Sequence, residues 1–321
     1  MASKESMKIL ITGSTGLIGK HLINNLRAEY PESEIIGTFY QKKLISNYKT
    51  NKVMDIKYIN YQEIFKFDNK FDQIWHFATY GQPAKFINGW NEVIKLNTSD
   101  IIYLSKLLKP KGKFLYASSS ELYGPQCSAN EEEAPASLTC TPRSIYIDSK
   151  RLGESIINSV LDIENFRIFR ICLAYSPLFK EDDRRVMYEL ILKAIKNKEV
   201  NLIDDGSALR QYIYIEDACN MMIKLMKLKN KDLMIGNSVP IFNISNPNEP
   251  ITIFELANLI ADNFKVPIKK GPKNNNIHSA PKIVKVYPKR FLKIYRDFEF
   301  IKLIDGLKIV CNTAKKNFLF K

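Results

Sequence analysis

One stretch near the start constrains the fold of this chain more than any other. Met7-Lys8-Ile9-Leu10-Ile11-Thr12 is an apolar run that stops on Gly13, and Gly16 and Gly19 follow at three-residue spacing. Leu17, Leu22, Ile23 and Leu26 then recur at helical spacing. Glycines between a strand and a helix let the backbone turn sharply and approach a pyrophosphate, which lies against the positive helix N-terminus. The pattern therefore predicts a dinucleotide-binding unit, with Gly13, Thr15, Gly16, Leu17, Ile18 and Gly19 against the cofactor.

The alternation continues along the first half. Residues 34–40, 52–56, 71–79, 113–120 and 165–175 read as strands, and 91–108 and 144–161 carry helical periodicity. Strands alternating with helices imply right-handed βαβ units and a parallel sheet. The fold class expected is α/β, a Rossmann doubly wound parallel sheet with a smaller, mixed α/β C-terminal substrate domain. The division expected is 7–172, completed by segments within 212–246, against 173–211 together with 247–321.

In the second half, 186–195 and 216–228 read as helices and 200–215 as a strand pair around Asp205-Gly206. Thr252 and Glu255 form a capping box opening a further helix.

Composition narrows the function classes. The 321 residues hold five cysteines with no C-x-x-C and only three histidines, so a zinc site is not expected. Lys+Arg minus Asp+Glu is 48 − 34 = +14, but the lysines are spread along the chain, which reads as a solvated surface rather than a nucleic-acid face. The densest basic stretch, 265–293, has too few aromatics for a base-stacking platform. No apolar run approaches the roughly 18–20 residues of a membrane span, and the start lacks a signal-peptide core. A cytoplasmic protein without membrane partners is expected.

Two further motifs carry chemistry. Tyr146-x-x-x-Lys150 places a phenol and an ammonium one turn apart on a helix face, and a nearby cation favours a phenolate. The strand ending at Ala117 runs into Ser118-Ser119-Ser120-Glu121, more polar groups than a turn requires. After the second strand no carboxylate stands ready for an adenosine ribose, while Lys42 and Lys43 could meet a 2′-phosphate, so NAD and NADP both remain open.

Together these motifs resemble the extended short-chain dehydrogenase/reductases that act on nucleotide sugars as epimerases, dehydratases and decarboxylases. The resemblance implies that Ser119 polarises a sugar hydroxyl, that Tyr146 removes the C4 hydroxyl proton, and that Lys150 supports it. Glu121 resembles the glutamate of 4,6-dehydratases and UDP-glucuronate decarboxylases. Further matches favour the decarboxylase-like branch: Arg143-x-x-Tyr146-x-x-x-Lys150-Arg151, the segment Asp182-Asp183-Arg184-Arg185-Val186, Pro83 and Phe86 in an S-P-x-x-Y loop, and Arg210.

Substrate contacts are thus implied for Pro83, Ser119, Ser120, Arg184 and Arg210, and cofactor contacts for Asp55, Ala78, Tyr146 and Lys150. Leu173 and Ser176 depart from the family's Asn and Gly. The implied reaction starts by oxidation at C4 and ends in decarboxylation or dehydration, with 4-epimerisation as the alternative. A non-catalytic NAD(P)- or RNA-binding relative is the rival of another class. A homodimer through 91–108 and 144–161 is also implied.

Overall fold

The computed structural model describes residues 6–41, 56–68, 70–124, 126–132, 141–248, 250–272 and 282–318. Strand β1 (Lys8–Thr12) leads through the glycine turn into the helix Leu17–Glu29, and β2 (Glu34–Phe39) follows. Next come β3 (Ile56–Asn60), β4 (Phe71–His76) and β5 (Leu108–Ser119). Later in the chain β7 (Phe166–Ile171) and β11 (Ile241–Ile244) close the same sheet, while β6 (Gln126–Ala129) lies outside it.

The order β3-β2-β1-β4-β5-β7-β11 is parallel throughout, the doubly wound arrangement expected from the alternation. Ile9, Leu10, Ile11, Ile74, Trp75, Phe114 and Leu115 are fully buried, as befits strands covered on both faces. The strand order reverses between β1 and β4, so a crevice opens beyond their C-terminal ends, where Gly13 and Phe77–Ala78 lie.

Four expectations need correcting. The third strand is Ile56–Asn60 rather than 52–56, of which 52–55 lie outside the described residues. The helix expected over 91–108 is two helices, Trp90–Asn97 and Ser99–Lys106. Thr98 breaks it: its hydroxyl donates back to the Ile94 carbonyl at 2.7 Å, and its backbone leaves helical angles at φ −133, ψ −85.

The apolar run 165–175 is two strands, because the chain changes sheets at Cys172. β7 stays in the main sheet, and β8 (Leu173–Tyr175) pairs in parallel with β10 (Leu209–Tyr214). The strand pair expected over 200–215 is absent. β9 (Val200–Asn201) pairs with β13 (Ile268–Lys269), while β10 joins β12 (Pro250–Thr252) and β14 (Ile283–Val286). Between them Asp204 accepts from the Gly206 amide at 2.9 Å, and Gly206 takes φ +70, a turn that sends the strands apart.

β14 also pairs with β6, so this second sheet gathers strands from five separate parts of the chain. The capping box at Thr252 and Glu255 forms as read, opening the helix Ile253–Phe264. Among the described residues no helix is long and apolar enough to cross a membrane.

Candidate active site

The glycine turn is shaped for close approach. Gly13 sits at φ +69, and a Cβ there would lie 2.7 Å from the Phe77 carbonyl carbon. At Gly19 a Cβ would fall 2.3 Å from the Gly13 oxygen, so the helix packs directly on the turn. Thr12 ties the turn to β4: its hydroxyl accepts from the Ala78 amide at 3.2 Å and meets His76 Nδ1 at 2.7 Å.

His76 Nε2 donates to the Leu96 carbonyl at 2.8 Å, and burial pushes the imidazole down to about 3. This histidine is a neutral, packed strand-end residue. The helix Leu17–Glu29 begins at Gly16 without a side-chain cap, which leaves its first N–H groups pointing at the crevice. These residues fit a dinucleotide pyrophosphate. Of the other cofactor candidates, Ala78 lies at this turn, whereas Asp55, Lys42 and Lys43 lie outside the described residues.

The second half of the site forms where β5 meets the helix Ser144–Val160. Ser119 ends the strand, and its hydroxyl accepts from the Glu121 amide at 3.2 Å, capping the short 3₁₀ turn Ser120–Tyr123. The same side chain is near enough to the Tyr146 phenol to favour its ionised form. Phe86 stacks on Tyr146 with ring centroids 4.6 Å apart and planes 11° from parallel. Phe86 rides on the helix Pro83–Asn88, so Pro83 acts here by starting that helix.

Burial and the Glu121 charge push the Tyr146 phenol up, against the Ser119 side chain and the Arg143 cation. Lys150 donates to the Ala117 carbonyl at 2.6 Å, with its ammonium 4.6 Å from the centre of the Tyr116 ring. Burial draws this ammonium down to about 7.

Behind the serines lies a buried ion pair. Ser118 donates to Glu154 at 2.5 Å, and Glu154 accepts from Arg170 at 2.7 and 3.0 Å. Ser120 is buried at the start of the 3₁₀ turn.

Glu121 is held by a partner that sequence reasoning did not assign to the site. Arg143 Nη2 donates to both carboxylate oxygens at 2.7 Å, and Nε donates to one at 3.2 Å. The signal was present, since Arg143 lies three residues before Tyr146 and thus on nearly the same helix face.

Arg210, on β10, is drawn down mainly by burial and feels the charges of Arg143 and Glu121. It makes no ion pair with Glu216 or Asp217. Glu216 engages His21 and Asn25, and Asp217 accepts from the Ile301 amide at 2.8 Å. Arg184 is exposed, with its amide donating to Gln82 at 3.3 Å, and the inward arginine of that segment is Arg185, forked to Asp183.

The departures from the family pattern also find their places. Leu173 pairs with Tyr212 across β8 and β10. Ser176 meets His21 Nε2 at 2.7 Å, joining the glycine-turn helix to the chain beyond β8.

A glycine-turn crevice beside a Ser–Tyr–Lys cluster, on a sheet of this order, defines a doubly wound dinucleotide-binding protein of the short-chain dehydrogenase/reductase type. Residues 9–243 match the NAD dependent epimerase/dehydratase family, and the chain belongs to it. Among similar curated proteins, UDP-glucuronic acid decarboxylase 1 of Danio rerio is 28% identical over 267 residues, covering 81% of this chain and 61% of that protein. UDP-glucuronic acid decarboxylase 3 of Arabidopsis thaliana is 28% identical over 276 residues, covering 80% and 74%. The chain spans about three fifths of the length of the first of these relatives.

Solved structures agree on the fold. UDP-glucuronic acid 4-epimerase from Bacillus cereus, in complex with UDP-glucuronic acid and NAD, gives a TM-score of 0.77 at 20% identity, covering 97% of this chain and 99% of that one. A dTDP-glucose 4,6-dehydratase from Bacillus anthracis in complex with NAD gives 0.75 at 16% identity, covering 97% of each chain.

Proposed function

We propose that this chain is a nucleotide-sugar enzyme that oxidises the sugar C4 hydroxyl and then releases carbon dioxide from a C6 carboxylate. The observation that carries the reading is the buried Tyr146 phenol, influenced by the Ser119 side chain, beside a Glu121 carboxylate already forked by Arg143. A bound NAD or NADP, held by Gly13 to Gly19, Ala78 and Lys150, would supply the acceptor for the C4 hydride and its return.

Ser119 holds the C4 oxygen and Tyr146 takes its proton. Arg210, half-buried and close enough to feel Arg143 and Glu121, suits an anionic group on the substrate. In a 4-keto uronate the carboxylate is β to the ketone. Carbon dioxide can then leave as the C5–C6 bonding electrons pass toward the C4 oxygen, with no base needed at C5. Expulsion of water from C6 would need a base at C5 and an acid at the leaving oxygen, and Glu121 already has both oxygens engaged by Arg143. That favours decarboxylation over dehydration.

The relatives named UDP-glucuronic acid decarboxylase support UDP-glucuronic acid as the substrate. A second copy of the chain is the expected partner, docked on the helices that expose Ile102, Leu152 and Val160.

Incubation with NAD or NADP and UDP-, GDP-, dTDP- and CDP-sugars, uronic acids included, tests the reading by product mass. Loss of carbon dioxide from a uronic acid is the expected result. Loss of water, or inverted stereochemistry at unchanged mass, would redirect it to dehydration or epimerisation. Salt-sensitive RNA binding with no turnover would overturn it.

A further inference from the structure

The Arg143–Glu121 fork lies beside Tyr146, and the proposed reaction leaves it without a task of its own. Both side chains are largely buried, at 12% and 22% exposure. Glu121 lies two residues beyond Ser119, whose hydroxyl accepts from the Glu121 amide and whose side chain favours the ionised Tyr146 phenol. Arg143 stands at the N-terminal end of the helix that carries Tyr146, and its guanidinium sits 5.5 Å from the Phe86 ring centre. Phe86 in turn stacks on Tyr146. Phe86 thus meets both the Arg143 cation and the Tyr146 ring, with the Glu121 carboxylate pinned to Arg143.

We propose that Arg143 is a positioning residue for the proton-handling step, fixing the Glu121 carboxylate and offsetting part of its charge at the Tyr146 hydroxyl. This rests on the reading of Tyr146 as the group that accepts the substrate proton. A bare carboxylate beside a buried phenol opposes phenolate formation, since two like charges would then share a low-dielectric pocket. A forked guanidinium returns the pair to near neutrality.

The other groups facing Tyr146 do not replace it. Ser119 and Tyr116 come from β5, Tyr80 and Phe86 pack from the preceding segment and helix, and Lys150 lies over Tyr116 on the phenol's own helix. Arg210, from β10, feels both members of the fork. Arg143 is the cation that already holds Glu121 by three hydrogen bonds.

The test is a 19F NMR titration of the full chain carrying a fluorinated tyrosine, more acidic than tyrosine itself, at position 146. Arg143→Gln should raise the phenol midpoint by on the order of one pH unit, and Glu121→Gln should lower it by a similar amount. Arg143→Lys should recover most of the shift, since it keeps the charge and loses only the fork. A midpoint unmoved by Arg143→Gln, or by Glu121→Gln if the arginine variant does not fold, overturns the proposal. The readout needs no substrate. A chain that turns over no nucleotide sugar while its midpoint moves as stated would sink the proposed reaction and leave the charge coupling standing.

Discussion

The two sides of the candidate site are built differently. On the glycine-turn side, β1, β4 and β5 end side by side in one parallel sheet, and most of what faces a ligand is backbone or a short side chain: Gly13, Ala78, Ser119. On the opposite side, β8, β10, β12, β14 and β6 come from five stretches of chain, and what reaches inward is long and charged, Arg210 and Arg185 above all. In the proposed reaction the first side carries the chemical step. The second presents long cations whose spacing depends on distant strands, and it is where this chain departs from the family pattern, at Leu173 and Ser176.

Substitutions can break that contrast. The largest effect belongs to the first side. Tyr146→Phe should lower turnover by roughly 10²- to 10⁴-fold with the fold intact, as read by initial rates and circular dichroism. Next is Arg170→Met, which leaves Glu154 buried without its guanidinium behind Ser118. A loss of about 3–5 kcal/mol in urea-unfolding stability is expected. Unchanged stability would mean that water or Ser118 satisfies the carboxylate.

On the second side, Arg210→Lys keeps a charge and loses planar recognition. A rise in KM equivalent to about 1.5–3 kcal/mol, with a smaller change in kcat, is expected from steady-state kinetics. An equal fall in kcat at constant KM would instead place Arg210 in the chemical step.

The smallest effect sharpens the contrast by sign. His76, on the glycine-turn side, is held neutral down to about 3, against an ordinary 6.5. Below about pH 6.5 the unfolded chain takes a proton that the folded chain refuses, so this contribution to stability is lost as pH falls toward 3. Asp217, in the first turn of the helix Ile215–Lys227, is raised by burial to about 6 from 3.8. It keeps a proton when folded that the unfolded chain releases, so its contribution is present at low pH and lost as pH rises from about 4 through 6. The two oppose each other, each by at most about 1.4 kcal/mol per pH unit. His76→Asn should therefore make the protein relatively more stable in acid, and Asp217→Asn relatively less so, in urea midpoints measured from pH 4 to 7.

The same contrast decides what could be read from the residues alone. The glycine turn, the Tyr146–Lys150 spacing and the Thr252 capping box are local, so a few neighbouring residues reveal them. The switch of sheets at Cys172 was hidden because β7 and β8 run on from one another with a single residue between them, and only their partners differ. The false strand pair over 200–215 had the same origin: β9 finds its partner at Ile268, far along the chain. Thr98 looked like an ordinary helical residue until its hydroxyl turned back on Ile94. Arg143 was visible as part of a motif, but its grip on Glu121, 22 residues earlier, required the fold.

The central claim is that the Ser119–Tyr146 pair opens a C4 oxidation that ends in loss of C6. It is tested most directly by incubating the protein and its nicotinamide cofactor with UDP-glucuronic acid labelled with 13C at C6 and following the evolved gas by mass spectrometry. The account predicts labelled carbon dioxide in step with a UDP-pentose, abolished in Tyr146→Phe. Retention of the label in the sugar by an enzyme that nevertheless turns the substrate over would contradict it.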